Sequence, residues 1–433
     1  MTYEESLDYL ASLQRFGINL GLARITKLLE LLDHPERRFR SIHIAGTNGK
    51  GSTTAMLSAV LTAAGFRTGM YISPHLDDYT ERISIDGKTV SQHEFATAIK
   101  TVATLASTME ADGLEHPTEF ELITAAAFHY FAAAGVEYAV IEAGLGGRID
   151  STNVITPEIA VITNVTFEHA DKLGPALRDI ASHKAGIIKA GKPVVTAARG
   201  ESLAVIQSEA TEIGSTVYIA GQNFSCESQG IRDGQQFITF QNEGSESQYT
   251  ISLLGRHQAE NAGLVLMTLR LLGKSEPRLT EEAVITGLRL AVWPGRFELL
   301  GHKPDLIIDG AHNPDSARAL RLTLDEIYPD RSVVFVLGIL ADKDVSGVSQ
   351  TLVRHSDRVV TVKPDSPRAA EPAAVAAQFP AGQAIVSTTV SEGIRQAVDL
   401  AGPDGIVCVA GSLYQVGEAR KAALSRQLSH TSL

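Results

Sequence analysis
Ser41–Thr54, SIHIAGTNGKGSTT, constrains this chain more than any other stretch. Ile42 to Ala45 is a short apolar run that reads as a buried strand. Gly46, Gly49 and Gly51 then punctuate the chain, and Thr53 to Ala64 reads as a helix. A strand, a glycine loop and a helix in that order turn backbone N–H groups toward one anion at a helix N-terminus. Side-chain chemistry divides the labour. Glycines allow close backbone approach to phosphate, Lys50 neutralises it, and the Ser52 hydroxyl suits Mg²⁺. The spacing departs from the general P-loop, because Gly51 separates Lys50 from Ser52. The plainer alternative is a glycine-rich turn that only caps a helix.

At 433 residues the chain exceeds what one core holds, so two domains are expected. A formal charge of −12 argues against a general nucleic-acid surface while leaving room for a local phosphate pocket. Cys226 and Cys408 have no paired spacing, so neither a disulfide framework nor a zinc site is expected. The first residues, MTYEESLDYLASLQRFG, are acidic and amphipathic, unlike a signal peptide. No run of about 20 apolar residues reads as a membrane span. The cytoplasm is the expected compartment.

Apolar strands alternate with helical patterns along most of the chain, which predicts a mostly parallel sheet covered on both faces. Strands are expected at Thr68–Ile72, Tyr138–Ile141, Ile159–Thr163 and Pro193–Thr196, with a helix over Ile180–Ala190. From Thr216 to Leu253 short runs separated by Gly, Asn and Ser predict a small antiparallel appendage. After Trp293-Pro294-Gly295-Arg296 a second, Rossmann-like α/β pattern begins. The expected domains are therefore 1–293 and 294–433.

Several constellations could carry chemistry. Glu142 ends the strand YAVI, at the sheet edge where an acid beside a phosphate loop can hold Mg²⁺; a solvated turn cap is the alternative. Gly144–Asp150, GLGGRID, comes next, where three glycines demand unusual backbone or a close neighbour. His169, after the Ile159–Thr163 strand, can ligate metal, although a lone histidine is more often a satisfied hydrogen-bonding residue. Ala181, Ala185 and Ile188 form an apolar stripe, so Lys184 lies beside a buried face, where snorkelling is the ordinary reading. In DGAHNPD, Asn313 and Pro314 are helix-start grammar. Asp309 and His312 reach the strand edge at which open α/β sheets bind ligands. Arg296 at the domain boundary keeps its charge and can reach phosphate across a cleft.

The motifs HIAGTNGKGS, SPHL with TERI, PTEFE, EAGLGGRIDSTN, HKAGIIK, GRHQAENA, WPGRFE, DGAHNP, ADKD and AGSLY together resemble folylpolyglutamate synthase and its bifunctional relative, dihydrofolate synthase. Both are Mur-ligase-like, ATP-dependent amide ligases. The likeness runs from about Tyr3 to Glu418 and accommodates the Gly-Lys-Gly-Ser loop that the general P-loop does not. It implies a monomer that uses ATP and Mg²⁺, two ions, to join L-glutamate to tetrahydrofolate or dihydropteroate. Gly46, Thr47, Asn48, Gly49, Lys50, Gly51, Ser52 and Thr53 would cradle the phosphates, with Asn261, Arg296, Asp309 and His312 completing the ATP site. Lys50, Glu142, His169 and Lys184 would serve catalysis. Ser52, Ser73, Glu142, His169 and a carbamylated Lys184 would hold metal, and Thr118, Phe120 and Asp150 would meet the pterin. One departure is Glu168, where the family usually has Asp before the metal-site histidine. Two rivals remain: a cell-wall Mur ligase, for which residues 1–40 offer too little chain for a further substrate domain, and a P-loop protein that binds or hydrolyses nucleotide without ligation.

Overall fold
The computed structural model describes residues 1–17 and 19–430, with side chains described as far as 423. Eight strands form the larger sheet: β1 (Arg40–Ala45), β2 (Thr68–Tyr71), β3 (Ile83–Ile85), β4 (Lys88–Thr89), β5 (Tyr138–Glu142), β6 (Ile159–Ile162), β7 (Val194–Thr196) and β8 (Val217–Ile219). Their order is β4-β3-β2-β5-β1-β6-β7-β8. β2, β5, β1, β6, β7 and β8 run parallel, and β3 and β4 add an antiparallel edge.

The strands in the middle of this sheet are buried on both faces, as a parallel sheet covered twice requires, and are mostly apolar, with His43 of β1 paired to Thr152. Ile42, Ile44, Val140 and Val161 pack under the helices Lys50–Ala63, Arg256–Leu272 and Glu281–Leu290. On the opposite face, Tyr71, Ala139 and Ile141 meet Gln92–Ala111 and Glu119–Ala133. Each large apolar side chain fully buried here contributes about 1.5–3 kcal/mol. Substitutions there would act on the fold before they act on chemistry.

The antiparallel appendage contains β9 (Phe224–Arg232), β10 (Gln235–Asn242) and β11 (Ser245–Ile251). It begins later than the composition change at Thr216 predicts. Val217–Ile219 instead pairs in parallel with β7 and extends the large sheet. The helix expected over Ile180–Ala190 also shifts, to Leu177–Ala185. It stops at Gly186, where a side chain would overlap Arg148.

The second sheet is six-stranded: β12 (Glu298–Gly301), β13 (Asp305–Asp309), β14 (Val334–Leu337), β15 (Arg358–Thr361), β16 (Ala384–Val386) and β17 (Ile406–Ala410). Its order is β12-β13-β17-β14-β15-β16, parallel except for the β12 edge. Two apolar clusters cover its faces. Among the described residues no helix is long and apolar enough to cross a membrane.

Candidate active site
The phosphate-loop candidate lies where β1 ends and the helix Lys50–Ala63 begins. Gly49 caps that helix at φ 84°, a left-handed conformation that glycine adopts without a Cβ penalty. The space beside it is taken by the Asn261 side chain. The same helix, Arg256–Leu272, also holds the loop from above. Gln258 Nε2 donates to Ser52 Oγ over 3.2 Å, and Asn261 Nδ2 donates to Gln258 Oε1 over 3.0 Å. From below, the end of β6 braces the loop. Thr163 Oγ1 donates to the Asn48 carbonyl at 2.7 Å, and Asn164 Oδ1 accepts from the Asn48 N–H at 2.9 Å. Lys50 Nζ donates to the Gly46 and Thr47 carbonyls, at 3.0 and 3.1 Å, so its charge sits in the loop's mouth.

Glu142 is at the end of β5, in register with Ile44 of β1. It is 5 % exposed. Burial pushes its carboxyl up to about 7, against the pull of Lys50, Arg296 and the Ser73 N–H. Lys184 is 4 % exposed, and burial together with the Lys50 charge lowers its amine to about 7. The cationic loop thus has a buried acid beside it and a buried, readily neutral amine behind it. His169 stands at φ 53° at the mouth of the cavity, with burial lowering its imidazole against the opposing charge of Glu168.

The second lobe closes the site. Asp309 ends β13 and spends its carboxylate on nearby backbone, accepting from the Phe297 and Ala311 N–H groups at 2.9 and 2.8 Å. Burial raises its carboxyl and the nearby Arg296 charge opposes that. Arg296 lies flat against Gly310, where any side chain would displace it. His312 Nδ1 is 2.8 Å from the Gly310 carbonyl, and its Nε2 is 3.3 Å from Glu168 Oε1. Lys343 Nζ donates to the same Glu168 oxygen at 3.0 Å. Asn313 Nδ2 crosses to Asn48 Oδ1 at 3.0 Å. The loop at 47–52 and the segment at 309–312 therefore face one cavity of about 960 Å³.

Thr47 to Ser52, Glu142, His169, Asn261, Arg296, Asp309 and His312 all line this cavity, as does Ser73. Thr118, Phe120 and Asp150 are not among its lining residues. Thr118 caps the helix Glu119–Ala133 in a reciprocal pair with Glu121. Phe120 packs under Gly144. Asp150, 3 % exposed, accepts from the Leu145 N–H at 2.7 Å and from Thr152. The cavity instead runs past Ser73–Leu76 toward Met70 and Ser84. Gln258, Asn164 and Lys343 belong to the site without having stood out in the sequence. Gln258 and Lys343 lie inside the HQAENA and ADKD motifs, but nothing local to them says which neighbour they hold.

Residues 44–269 match the model of the Mur ligase middle domain, and residues 295–413 match the Mur ligase, glutamate ligase domain. A Bacillus subtilis protein named dihydrofolate synthase/folylpolyglutamate synthase is 34% identical over 429 residues, covering 97% of this chain and 98% of that one. A Mycobacterium tuberculosis folylpolyglutamate synthase solved with ADP and AMPPCP superposes with a TM-score of 0.90 at 34% identity, covering 97% of this chain and 99% of the other. A Halobacterium salinarum relative, named a probable bifunctional folylpolyglutamate synthase/dihydropteroate synthase, is 36% identical over 426 residues, or 97% of this chain. This chain spans about half the length, 51%, of that protein. Two matched domains, flanking the cavity from either lobe, and two relatives at 34% identity covered to 98% and 99% of their own length place the chain in the Mur ligase family, among the folylpolyglutamate and dihydrofolate synthases.

Proposed function
We propose that this chain is an ATP-dependent carboxylate–amine ligase that adds L-glutamate to reduced folates, and also to dihydropteroate. The observation that carries the reading is the meeting of Lys50, Arg296 and His312, from two lobes, on one cavity beside the buried acid Glu142. A carboxylate and a triphosphate repel each other, so bringing them together needs concentrated positive charge. On this reading 1–293 is the nucleotide lobe, 294–433 is the glutamate-ligase lobe, and the enzyme works as a cytoplasmic monomer.

The chemistry has two steps. A carboxylate oxygen of the pteroyl substrate attacks the γ-phosphorus, the bond to the β-phosphate oxygen breaks, and ADP leaves. The neutral amine of glutamate then attacks the acyl carbon, inorganic phosphate leaves with the electron pair of the C–O bond, and the proton lost from nitrogen as the amide forms goes to the departing phosphate. Lys50 and the loop N–H groups hold the β- and γ-phosphates, and Arg296 meets the charge that develops on the transferred group. Asp309, which accepts from the Phe297 and Ala311 N–H groups and lines the cavity, would complete the ATP site beside Arg296. His312 and Glu168 keep the second lobe seated while the acyl phosphate is exposed to the amine.

The donor set fits Mg²⁺. Ser52 and Glu142 are hard oxygen donors at the loop, and a buried acid raised to about 7 is one that a neighbouring cation would hold ionised. Among the described residues no group of three or more His, Cys, Asp or Glu forms a protein-only cage. That suits an ion that keeps waters and takes phosphate oxygens. Bound there, Mg²⁺ would neutralise phosphate charge and orient the γ-phosphate for in-line attack. The second ion's set, His169 and Lys184, fits only if the amine carries a carbamate, and an amine lowered to about 7 is free to take up CO₂.

The test uses purified protein with ATP, Mg²⁺, L-glutamate and either dihydropteroate or tetrahydrofolate, with products read by mass. Glutamate-dependent ADP release and a product one glutamyl residue heavier are expected with both acceptors. ADP release without any glutamylated product would overturn the reading.

A further inference from the structure
The position that makes this loop unlike a general P-loop, Gly51, is explained by a residue far away in sequence. A methyl group added at 51 would overlap the six-membered ring of Trp293. The indole lies at Gly51, on the first turn of the helix Lys50–Ala63, and it lines the cavity. Trp293 is also packed against the core of the first lobe. The helix before it, Glu281–Leu290, is locked to the loop's own helix, because Gly287 sits against the Val60 backbone. Trp293 is thus fixed to the first lobe from two directions.

Immediately after Trp293 the chain passes to the second lobe. Pro294 restricts its own φ and removes a donor. Gly295 turns at φ 72°, and its carbonyl accepts from the Gly310 N–H of the second lobe at 2.8 Å. Arg296, three residues after Trp293, lies against Gly310 in the second lobe. The last residue fixed to the phosphate loop and the cation that completes the site are therefore separated by one stiff residue and one turn. Little slack remains between them.

We propose that Trp293 is a positioning residue for phosphoryl transfer: its indole, seated on Gly51, fixes the linker so that Arg296 meets phosphates held at the loop. The inference rests on the ATP reading of the site. It also gives the Gly-Lys-Gly-Ser spacing a cause. A side chain between Lys50 and Ser52 would lift the indole and take Arg296 with it.

Trp293 is the only tryptophan in the chain, so its environment can be monitored without turnover. Titration of the full chain with ADP and Mg²⁺ should give a saturable change in tryptophan emission, with the midpoint found by equilibrium dialysis. Binding in dialysis with unmoved emission overturns the role of Trp293. Absence of binding in dialysis overturns the ATP reading itself, and the inference with it. Trp293→Ala should lower kcat on the order of 100-fold, the loss that a displacement of about 1 Å can cause. Its ADP affinity in dialysis should change less than about threefold, the signature of an interaction made in the transition state. Trp293→Phe should recover most of kcat, because a flat ring still covers Gly51. Where the alanine variant does not fold, Trp293→Leu, with bulk but no ring, is expected to show the same loss. A lowered melting temperature with kcat kept, or a phenylalanine variant as slow as the alanine one, overturns the proposal.

Discussion

Two lysines illustrate how far environment outweighs residue type. Lys50 has carbonyl partners at the mouth of the cavity, where its charge meets anions. Lys184 is buried with another cation close by, and its neutral form is favoured. Lys50→Ala is expected to reduce glutamate ligation by a factor on the order of 10³ or more, since a preorganised charge at the transferred group is lost; near wild-type ligation would remove Lys50 from the mechanism. Lys184→Ala should be similarly slow but partly restored by added short carboxylates, and full activity without any additive would exclude a carbamate. Titration gives a second test. Between about 7 and 10.5 the unfolded chain binds more protons at position 184 than the folded one, so this site's contribution to stability rises with pH across that window and is lost as pH falls through it. Thermal melts in CO₂-free buffer should therefore show Lys184→Met stabilising the protein more near the bottom of that window than near its top. A constant difference would contradict the burial argument.

At the scale of elements, the site is built from strand ends and helix starts. The helix Pro314–Ile327 begins with Asn313 in a reciprocal cap with Ser316, and Pro314 comes next at the first helical position. The cap side chain uses its oxygen on the helix and its amide nitrogen on Asn48 of the loop. Asn313→Ala should lower unfolding free energy by about 1 kcal/mol, the usual cost of a lost N-cap. It should also raise KM for ATP, because the loop loses a tie. Asn313→Ser separates the two: it can still cap, but it lacks the amide, so stability should return while KM stays raised. Helix starts such as this one were legible because capping is local chemistry. The two-residue strand Lys88–Thr89 and the edge strand Glu298–Gly301 were not, because pairing with a neighbour defines them and their own residues do not.

Across the whole molecule, several contacts tie the two lobes together, among them Asn313 to Asn48 and Arg256 to Glu326, and Glu168 is the one at the cavity that gathers two partners from the second lobe. Burial alone would raise its carboxyl; the hydrogen bond with His312 and the charge of Lys343 outweigh this and hold it well below the usual carboxylate range. Removing one member of such a buried set leaves the others unpaired, which commonly costs more than the net worth of the pair. Glu168→Gln and Lys343→Met should each raise KM for ATP about tenfold, or about 1.4 kcal/mol. Small-angle scattering should show a more extended particle in both. Glu168→Asp keeps the charge but is a methylene shorter, so an intermediate value is expected. Unchanged scattering and KM in all three variants would show that closure does not depend on this bridge.

By itself the sequence determined the local parts. Glycine spacing, apolar runs and capping residues specified a strand–loop–helix anion site, an acid at a strand end and a second α/β unit, because each depends on neighbours within a few positions. The tertiary structure alone decided which parts meet. It set Trp293 on Gly51 and Glu168 against Lys343, put Lys184 out of water, and ran the cavity past Ser73 rather than past Thr118 and Asp150. Those outcomes depend on contacts between segments tens to hundreds of residues apart, and burial and long-range charge arise only once the chain has closed on itself.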